Sequence, residues 1–145
     1  MSGQFRLGGT VRDNIALIDT SAVVAILDHR DALHETARLF FEESDLHWAS
    51  VNITAHETFT RLRYRRDVHV GLQGFDLLRT DMTVIDFVID DEVRARTMLT
   101  KYEEHRISHH DALCAAVMLR SGIYKIFTFD RDFQILGFQV VPASY

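Results

Sequence analysis

Asp19, Glu57, Asp111 and Asp130 each sit where an apolar run ends or a helix should begin, and carboxylates placed this way can be gathered to hold a divalent metal. Their contexts are IALIDTS, NITAHE, SHHDALCAAVM and KIFTFDRDF, and Asp132 is a candidate fifth. If the flanking segments form a parallel sheet covered by helices, such positions fall at the carboxyl edge of the sheet, where open α/β folds bind ligands. Two unit charges about 4 Å apart repel by roughly 4 kcal/mol at an effective dielectric of about 20. Four converging carboxylates press hard on a domain stable by only about 5–15 kcal/mol, so a cation or protons must neutralise them. Oxygen-only ligands select hard cations, Mg²⁺ ahead of Mn²⁺, over zinc. Two such ions about 3.5–4 Å apart activate a water and stabilise both oxygens of an in-line displacement at phosphorus. The chemistry this points to is phosphodiester hydrolysis without a protein nucleophile.

Each acid also has a structural explanation. Asp19 and Asp130 are acceptable helix N-caps, Ser108 with Asp111 matches the capping-box pattern, and Glu57 could be an exposed helical glutamate. Capping needs one acid per helix, however, and does not require all of them to share one edge of a sheet. Convergence is the expectation that separates the two readings.

The elements that must position these residues alternate. An apolar strand over 15–18 runs into a helix over 22–27 that Asp19 or Thr20 could cap, and a second helix follows Asp31, with Leu33, Ala37, Phe40 and Phe41 on one face. A strand is expected over 47–50, then a helix capped by Asn52 that carries Glu57 and runs to about Arg66. A weaker helix containing Gly71 and Gly74 covers 68–80, a third strand 83–88, and a charged helix runs from Asp90–Asp91 to about His105. The helix from Ser108 to Arg120, closed by Gly122, is apolar almost all round and rich in alanine, as befits a central helix approached on several sides. Strands over 125–128 and 138–141 flank a short helix over 131–136. Strand and helix in alternation with short connections specify a three-layer α/β/α sandwich around a mainly parallel sheet, as one domain over 15–145. Residues 1–14 are polar, contain glycine and lack periodicity, and are left out of the fold as a leader, disordered or foreign to the native chain.

Composition narrows the function. The chain has 145 residues, enough for a hydrophobic core, with 47% hydrophobic and 26% charged residues, and no apolar run approaches the roughly 20 residues of a membrane span. One cysteine, Cys114, excludes an internal disulfide framework and any Cys-based zinc site, which together with the lack of a signal-peptide core places the protein in the cytoplasm. A net charge of −5 argues against gripping nucleic acid by bulk electrostatics. Arg61, Arg63, Arg65 and Arg66 form the one dense basic stretch, with Arg61 and Arg65 on one helix face, to be read as phosphate contacts or as a solvated or partner-binding surface. His56-Glu57 is followed by Thr60, so the zinc pattern H-E-x-x-H fails, and His109 and His110 could approach the metal edge, with surface or capping roles the preferred expectation. Cys114, Trp48 and the ten phenylalanines are expected in the core.

Over nearly the whole span from Ile15 to Val141 the chain resembles the PIN-domain family, particularly its compact VapC-type toxin branch. The resemblance rests on an apolar strand ending in D-T-S (Asp19, Thr20, Ser21), a helical glutamate (Glu57), D-A-L-x-A-A (Asp111 to Ala116) and T-x-D-x-D-F (Thr128 to Phe133), with the acids separated by 38, 54 and 19 residues. It implies a metal-dependent endoribonuclease in which Asp19, Glu57, Asp111 and Asp130 ligate Mg²⁺ or Mn²⁺, with Asp132 assisting. Thr20, Ser21 and Thr128 match hydroxyl positions that support ligands or approach the scissile phosphate, and Arg61 and Arg65 are the candidate RNA contacts. It also implies a small antitoxin partner and a homodimer. The competing readings are a non-catalytic α/β interaction domain whose acids only cap helices, and a phosphatase with Asp19 as nucleophile, which lacks the usual second acid because Ser21 stands two residues on.

Overall fold

A computed structural model describes residues 14–144, so the expected leader lies, apart from Asn14, outside the described residues. Asn14 already belongs to the sheet's edge, since its carbonyl accepts the amide of His47 at 2.6 Å. Among the described residues the strands are β1 (Ile15–Ile18), β2 (His47–Val51), β3 (Thr83–Ile85), β4 (Lys125–Phe127) and β5 (Gln139–Val141). The helices are α1 (Thr20–Leu27), α2 (His34–Glu43), α3 (Thr54–Arg65), α4 (Val68–Thr80), α5 (Ile89–Lys101), α6 (His109–Ser121) and α7 (Asp132–Ile135). All pairings are parallel and the strand order is β3-β2-β1-β4-β5. The expected three-layer sandwich is therefore what forms.

Strand order decides where a site can be built. The chain first works outward from β1 to β3 and then returns to β1's other side with β4, so the reversal falls between β1 and β4, and the crevice beyond their carboxyl ends is the natural ligand position. β1 is buried on both faces, as the central strand of a parallel sheet must be. Its side chains alternate: Ile15 and Leu17 pack with Cys114, Ala115 and Met118 of α6, whereas Ile18 packs with Ala22, Val23 and Phe127 on the opposite face. In β4, Ile126 faces the α6 side and Phe127 the other. Extending both alternations by one step puts residues 19 and 128 side by side, on the face that α6 covers.

Helix packing holds this frame. The stretch Ala112 to Met118 of α6 is buried throughout, and its small residues let the helix lie close against the sheet. Gly122 ends α6 in the left-handed conformation (φ 73°) that glycine adopts without strain. On the other face, Phe40, Phe41, Trp48 and Phe127 form an aromatic cluster with centroid separations of 4.9–6.2 Å. Gly74 weakens α4 by propensity, yet it is what allows α3 and α4 to touch: a Cβ there would stand 2.6 Å from Leu62 Cδ1 and 3.0 Å from Thr58 Cγ2. Asn52 does not cap α3. Its amide bonds Ile85 O at 3.0 Å, so it still belongs to the sheet, and its side chain accepts the amide of Phe87 at 3.4 Å, while Ile53 precedes the helix in helical conformation without a side-chain cap. The charged helix α5 starts at Ile89, with Asp91 as its capping acid, and ends at Lys101 rather than His105.

Candidate metal centre

The crevice at the β1/β4 reversal is a cleft of about 540 Å³ lined by residues of four stretches of the chain, among them Asp19, Glu57, Asp111 and Asp130. Asp19 continues β1 in extended backbone (φ −99°, ψ 162°) and is 5% exposed. It stands at the N-cap position of α1 but its side chain makes no capping bond. Its Oδ2 instead accepts the hydroxyl of Thr128 at 2.9 Å and, at 3.4 Å, that of Ser21. The helix-cap explanation of this acid therefore does not describe what its carboxylate does.

Thr128 is fully buried and acts as a hub. Its single proton goes to Asp19; Ser21 Oγ lies 3.1 Å away and shares its own single proton between Thr128 and Asp19, and the amide of Asp130 donates to Thr128 Oγ1 at 3.0 Å. Ser21 in turn accepts the amide of Phe129 at 3.0 Å. Thr20 lines the cleft, but its hydroxyl accepts that of Thr58 at 3.1 Å, tying α1 to α3.

α6 brings Asp111. Ser108 caps this helix by accepting the amide of Asp111 at 3.0 Å, which leaves the Asp111 carboxylate turned to the cleft. Burial first, and then the charges of Asp19 and Asp130 against the opposing influence of His110, push the Asp111 carboxyl up to about 6. Asp130 serves two purposes: it lines the cleft, and its Oδ1 accepts the amide of Asp132 at 2.9 Å in the turn that leads into α7. Asp132 itself is absent from the cleft lining and begins α7.

The expectation for His110 requires correction. It is neither a surface nor a capping residue: it lies between α3 and α6, its Nε2 3.0 Å from the buried Thr54 hydroxyl and its Nδ1 3.1 Å from Glu57 Oε2 and 3.6 Å from Asp111 Oδ1. Nδ1 is buried without a well-angled hydrogen bond, so its pairing with the two acids is electrostatic rather than directional. Burial opposes charge on this ring, but Asp111, Cys114 and Glu57 outweigh it and push the imidazole up to about 11. Asp19, His110 and Asp111 offer ligand atoms all within 4.8 Å of one another, the tightest such group among the described residues. Glu57 and Asp130 share the cleft outside that group, so the four acids converge unequally, and a histidine stands where an all-oxygen set was expected. The sequence signal for this was the position of His110 immediately before Asp111, at the N-terminus of an otherwise apolar helix.

The arginines divide. Arg61 lines the cleft, one turn beyond Glu57 and 3.7 Å from it. Arg65 does not: it pairs with Asp28 at 3.3 Å and Asp31 at 3.2 Å, and Arg66 joins the same buried Asp28 at 3.3 Å. Arg106 and Arg131 also line the cleft; sequence reading missed them because Arg106 is isolated in the sequence and Arg131 stands at an unspecified position of the T-x-D-x-D-F motif.

The residues present fit a divalent cation. The buried Asp19 carboxylate, the partly buried Asp111 carboxylate and two further acids in one open cleft are a donor set that needs positive charge at its centre.

Comparison with known proteins agrees with this architecture. The PIN domain model matches residues 16–139. No curated protein matches the sequence. Among solved structures, the chain is similar to the crystal structure of Mycobacterium tuberculosis VapC20, a Sarcin-Ricin loop cleaving toxin, with 30% identity and a TM-score of 0.80, covering 86% of this chain and 95% of that one. Two more distant neighbours share the fold: VapBC2 from Rickettsia felis bound to a DNA fragment from its promoter (17% identity, TM-score 0.62, covering 87% of this chain and 96% of that one) and a toxin–antitoxin complex from Klebsiella pneumoniae (16%, 0.66, 89% and 98%). With a family model spanning both halves of the cleft and a parallel sheet reversing where the acids gather, this chain belongs to the PIN domain family.

Proposed function

We propose that this protein is a metal-dependent endoribonuclease, acting in the cytoplasm on RNA phosphodiester bonds as the toxin of a toxin–antitoxin pair. The observation that carries the proposal is the meeting of Asp19, buried just beyond β1, and Asp111, partly buried on α6, in an open cleft where neither carboxylate caps a helix. Family membership supports nuclease chemistry, and the similarity to a toxin that cleaves the Sarcin-Ricin loop supports RNA as the substrate. The neighbouring toxin–antitoxin complexes support a small protein antitoxin.

In this reading Asp19, Asp111, Glu57 and Asp130 hold Mg²⁺ or Mn²⁺. The bound cation supplies positive charge for the scissile phosphate and acidifies water for in-line attack. Thr128 and Ser21 fix the Asp19 carboxylate, Ser108 frees that of Asp111, and His110 keeps Glu57 and Asp111 apart from one another while offsetting their charge. Arg61, on the cleft wall, meets the phosphate backbone. Exposed Ile89 and Val93, one turn apart at the start of α5, support homodimer formation.

The test is cleavage of end-labelled RNA with Mg²⁺, with Mn²⁺, with Ca²⁺ and with chelator. Products bearing 5′-phosphate and 3′-hydroxyl in Mg²⁺ or Mn²⁺ alone, lost in Asp19→Asn, are expected. Cleavage that survives chelation would refute the metal-dependent mechanism.

A further inference from the structure

The face of α3 that starts at the cleft does not stop there. Glu57, Thr60, Arg61 and Tyr64 follow one another at helical spacing, so Arg61 lies about 6 Å and Tyr64 about 10 Å along the axis from Glu57. A shallow groove lined by His56, Glu57, Thr60, Arg61, Tyr64 and Arg65 shares Glu57 and Arg61 with the acid cleft, which makes the two depressions continuous. Tyr64 is 84% exposed, above every other large hydrophobic residue described. His56 is held edge-on against Phe75 at 5.3 Å, giving the groove a fixed wall.

We propose that this face is the binding track for single-stranded RNA leaving the cleft: Arg61 takes a backbone phosphate next to the cleavage point, and a neighbouring base stacks on the Tyr64 ring. The inference rests on the ribonuclease reading and adds a substrate subsite to it. The local positive charge and the exposed ring select RNA as the occupant. The chain is acidic overall, so its grip on a polyanion must be local, and here one half-exposed guanidinium stands beside one nearly naked aromatic ring. Pairing an arginine with a stacking platform is how proteins hold single strands without reading their sequence. Arg65 contributes little to the track because Asp28 and Asp31 hold it.

The experiment measures fluorescence anisotropy of a labelled, mixed-sequence single-stranded RNA with Mg²⁺ on Asp19→Asn protein, which binds without cutting. Adding Tyr64→Ala is expected to weaken binding roughly 5- to 150-fold, the effect of losing one base stack, with Tyr64→Phe restoring it. Arg61→Gln is expected to weaken binding and to lower the salt slope by about one. In the cleaving protein, Tyr64→Ala should raise KM more than it lowers kcat. Circular dichroism checks the fold, which an exposed ring does not support. If wild-type protein cuts RNA but Tyr64→Ala binds it unchanged, the track is wrong and the nuclease reading stands. Unchanged RNA affinity with altered self-association in sedimentation would assign the face to a protein contact and overturn the proposal. If the wild type cuts no RNA with either metal, the nuclease reading falls and the track with it.

Discussion

Replacing Thr128 by valine swaps one hydroxyl for a methyl of the same shape, and the structure lets the consequence be worked out. Three polar groups lose a partner at once: the Asp19 carboxylate its 2.9 Å donor, the Asp130 amide its 3.0 Å acceptor, and the Ser21 hydroxyl its 3.1 Å neighbour. A hydrogen bond to a charged group contributes about 1.5–3 kcal/mol, and an orphaned buried donor costs about 1–3 kcal/mol. Ser21 remains 3.4 Å from Asp19 and can tighten onto it, offsetting part of the loss. A net destabilisation of about 2–4 kcal/mol follows, which for a domain near 150 residues corresponds to roughly 6–12 °C in melting temperature. Thr128→Ser keeps the hydroxyl and loses one buried methyl, so it should cost about 1 kcal/mol. Thermal and urea unfolding of the two variants, compared at neutral pH, give the measurement. Metal-dependent cleavage should fall in Thr128→Val and persist in Thr128→Ser, because only the first frees Asp19 to rotate. A valine variant as stable as wild type, or one less damaging than serine, would refute the view that this hydroxyl is the keystone of the acid cluster.

Asp111→Asn should abolish cleavage and flatten the stability profile of the metal-free protein between about pH 4 and pH 6. The sign follows from a folded carboxyl at about 6 against an ordinary 3.8: the folded state favours the protonated form, so ionisation on going from pH 4 to 6 withdraws stability, of the order of 2–3 kcal/mol in the wild type. Urea midpoints across that pH range check it. Gly74→Ala should destabilise by about 1–2 kcal/mol despite the better helix propensity of alanine, since its Cβ would stand 2.6 Å from the buried Leu62; chemical denaturation reads the sign directly. Arg120→Met should cost about 2–4 kcal/mol, because Arg120 makes three bonds of 3.0–3.1 Å to the buried Asp91 and one of 2.9 Å to Asp86 O, and its loss strands a charge between α5 and α6. That loss should shrink on acidification toward the Asp91 pKa, which Arg120 and the Val88 amide hold low against burial.

The architecture was legible because its signals are local: apolar runs such as IALI and KIF, alternation with helices, and Gly122 after the last turn of α6. The convergence of Asp19, Asp111, Glu57 and Asp130 on one cleft followed from topology, since each lies just beyond a strand or early in a helix. Side-chain allegiance was harder to read. Arg61 and Arg65 share a helix face in sequence, but a buried aspartate at position 28, far away along the chain, captures Arg65. His110 looked like an ordinary N-terminal helix residue because nothing local reveals that Thr54 and Glu57 of α3 will meet it. Gly74 read as a defect in α4 when it is the contact point with α3, a property of the neighbouring helix rather than of its own sequence.

The pairing of β4 beside β1 also sets a schedule. Asp19 is made early, but its hydroxyl partner Thr128 follows it by 109 residues, and Asp130 comes later still. A polypeptide that ends before β4 has an open seam beside β1, and its acid cleft lacks a wall. The two sides of the cleft thus come from distant stretches of chain, and any copy truncated before β4 lacks both the hydroxyl that fixes Asp19 and the acid at position 130.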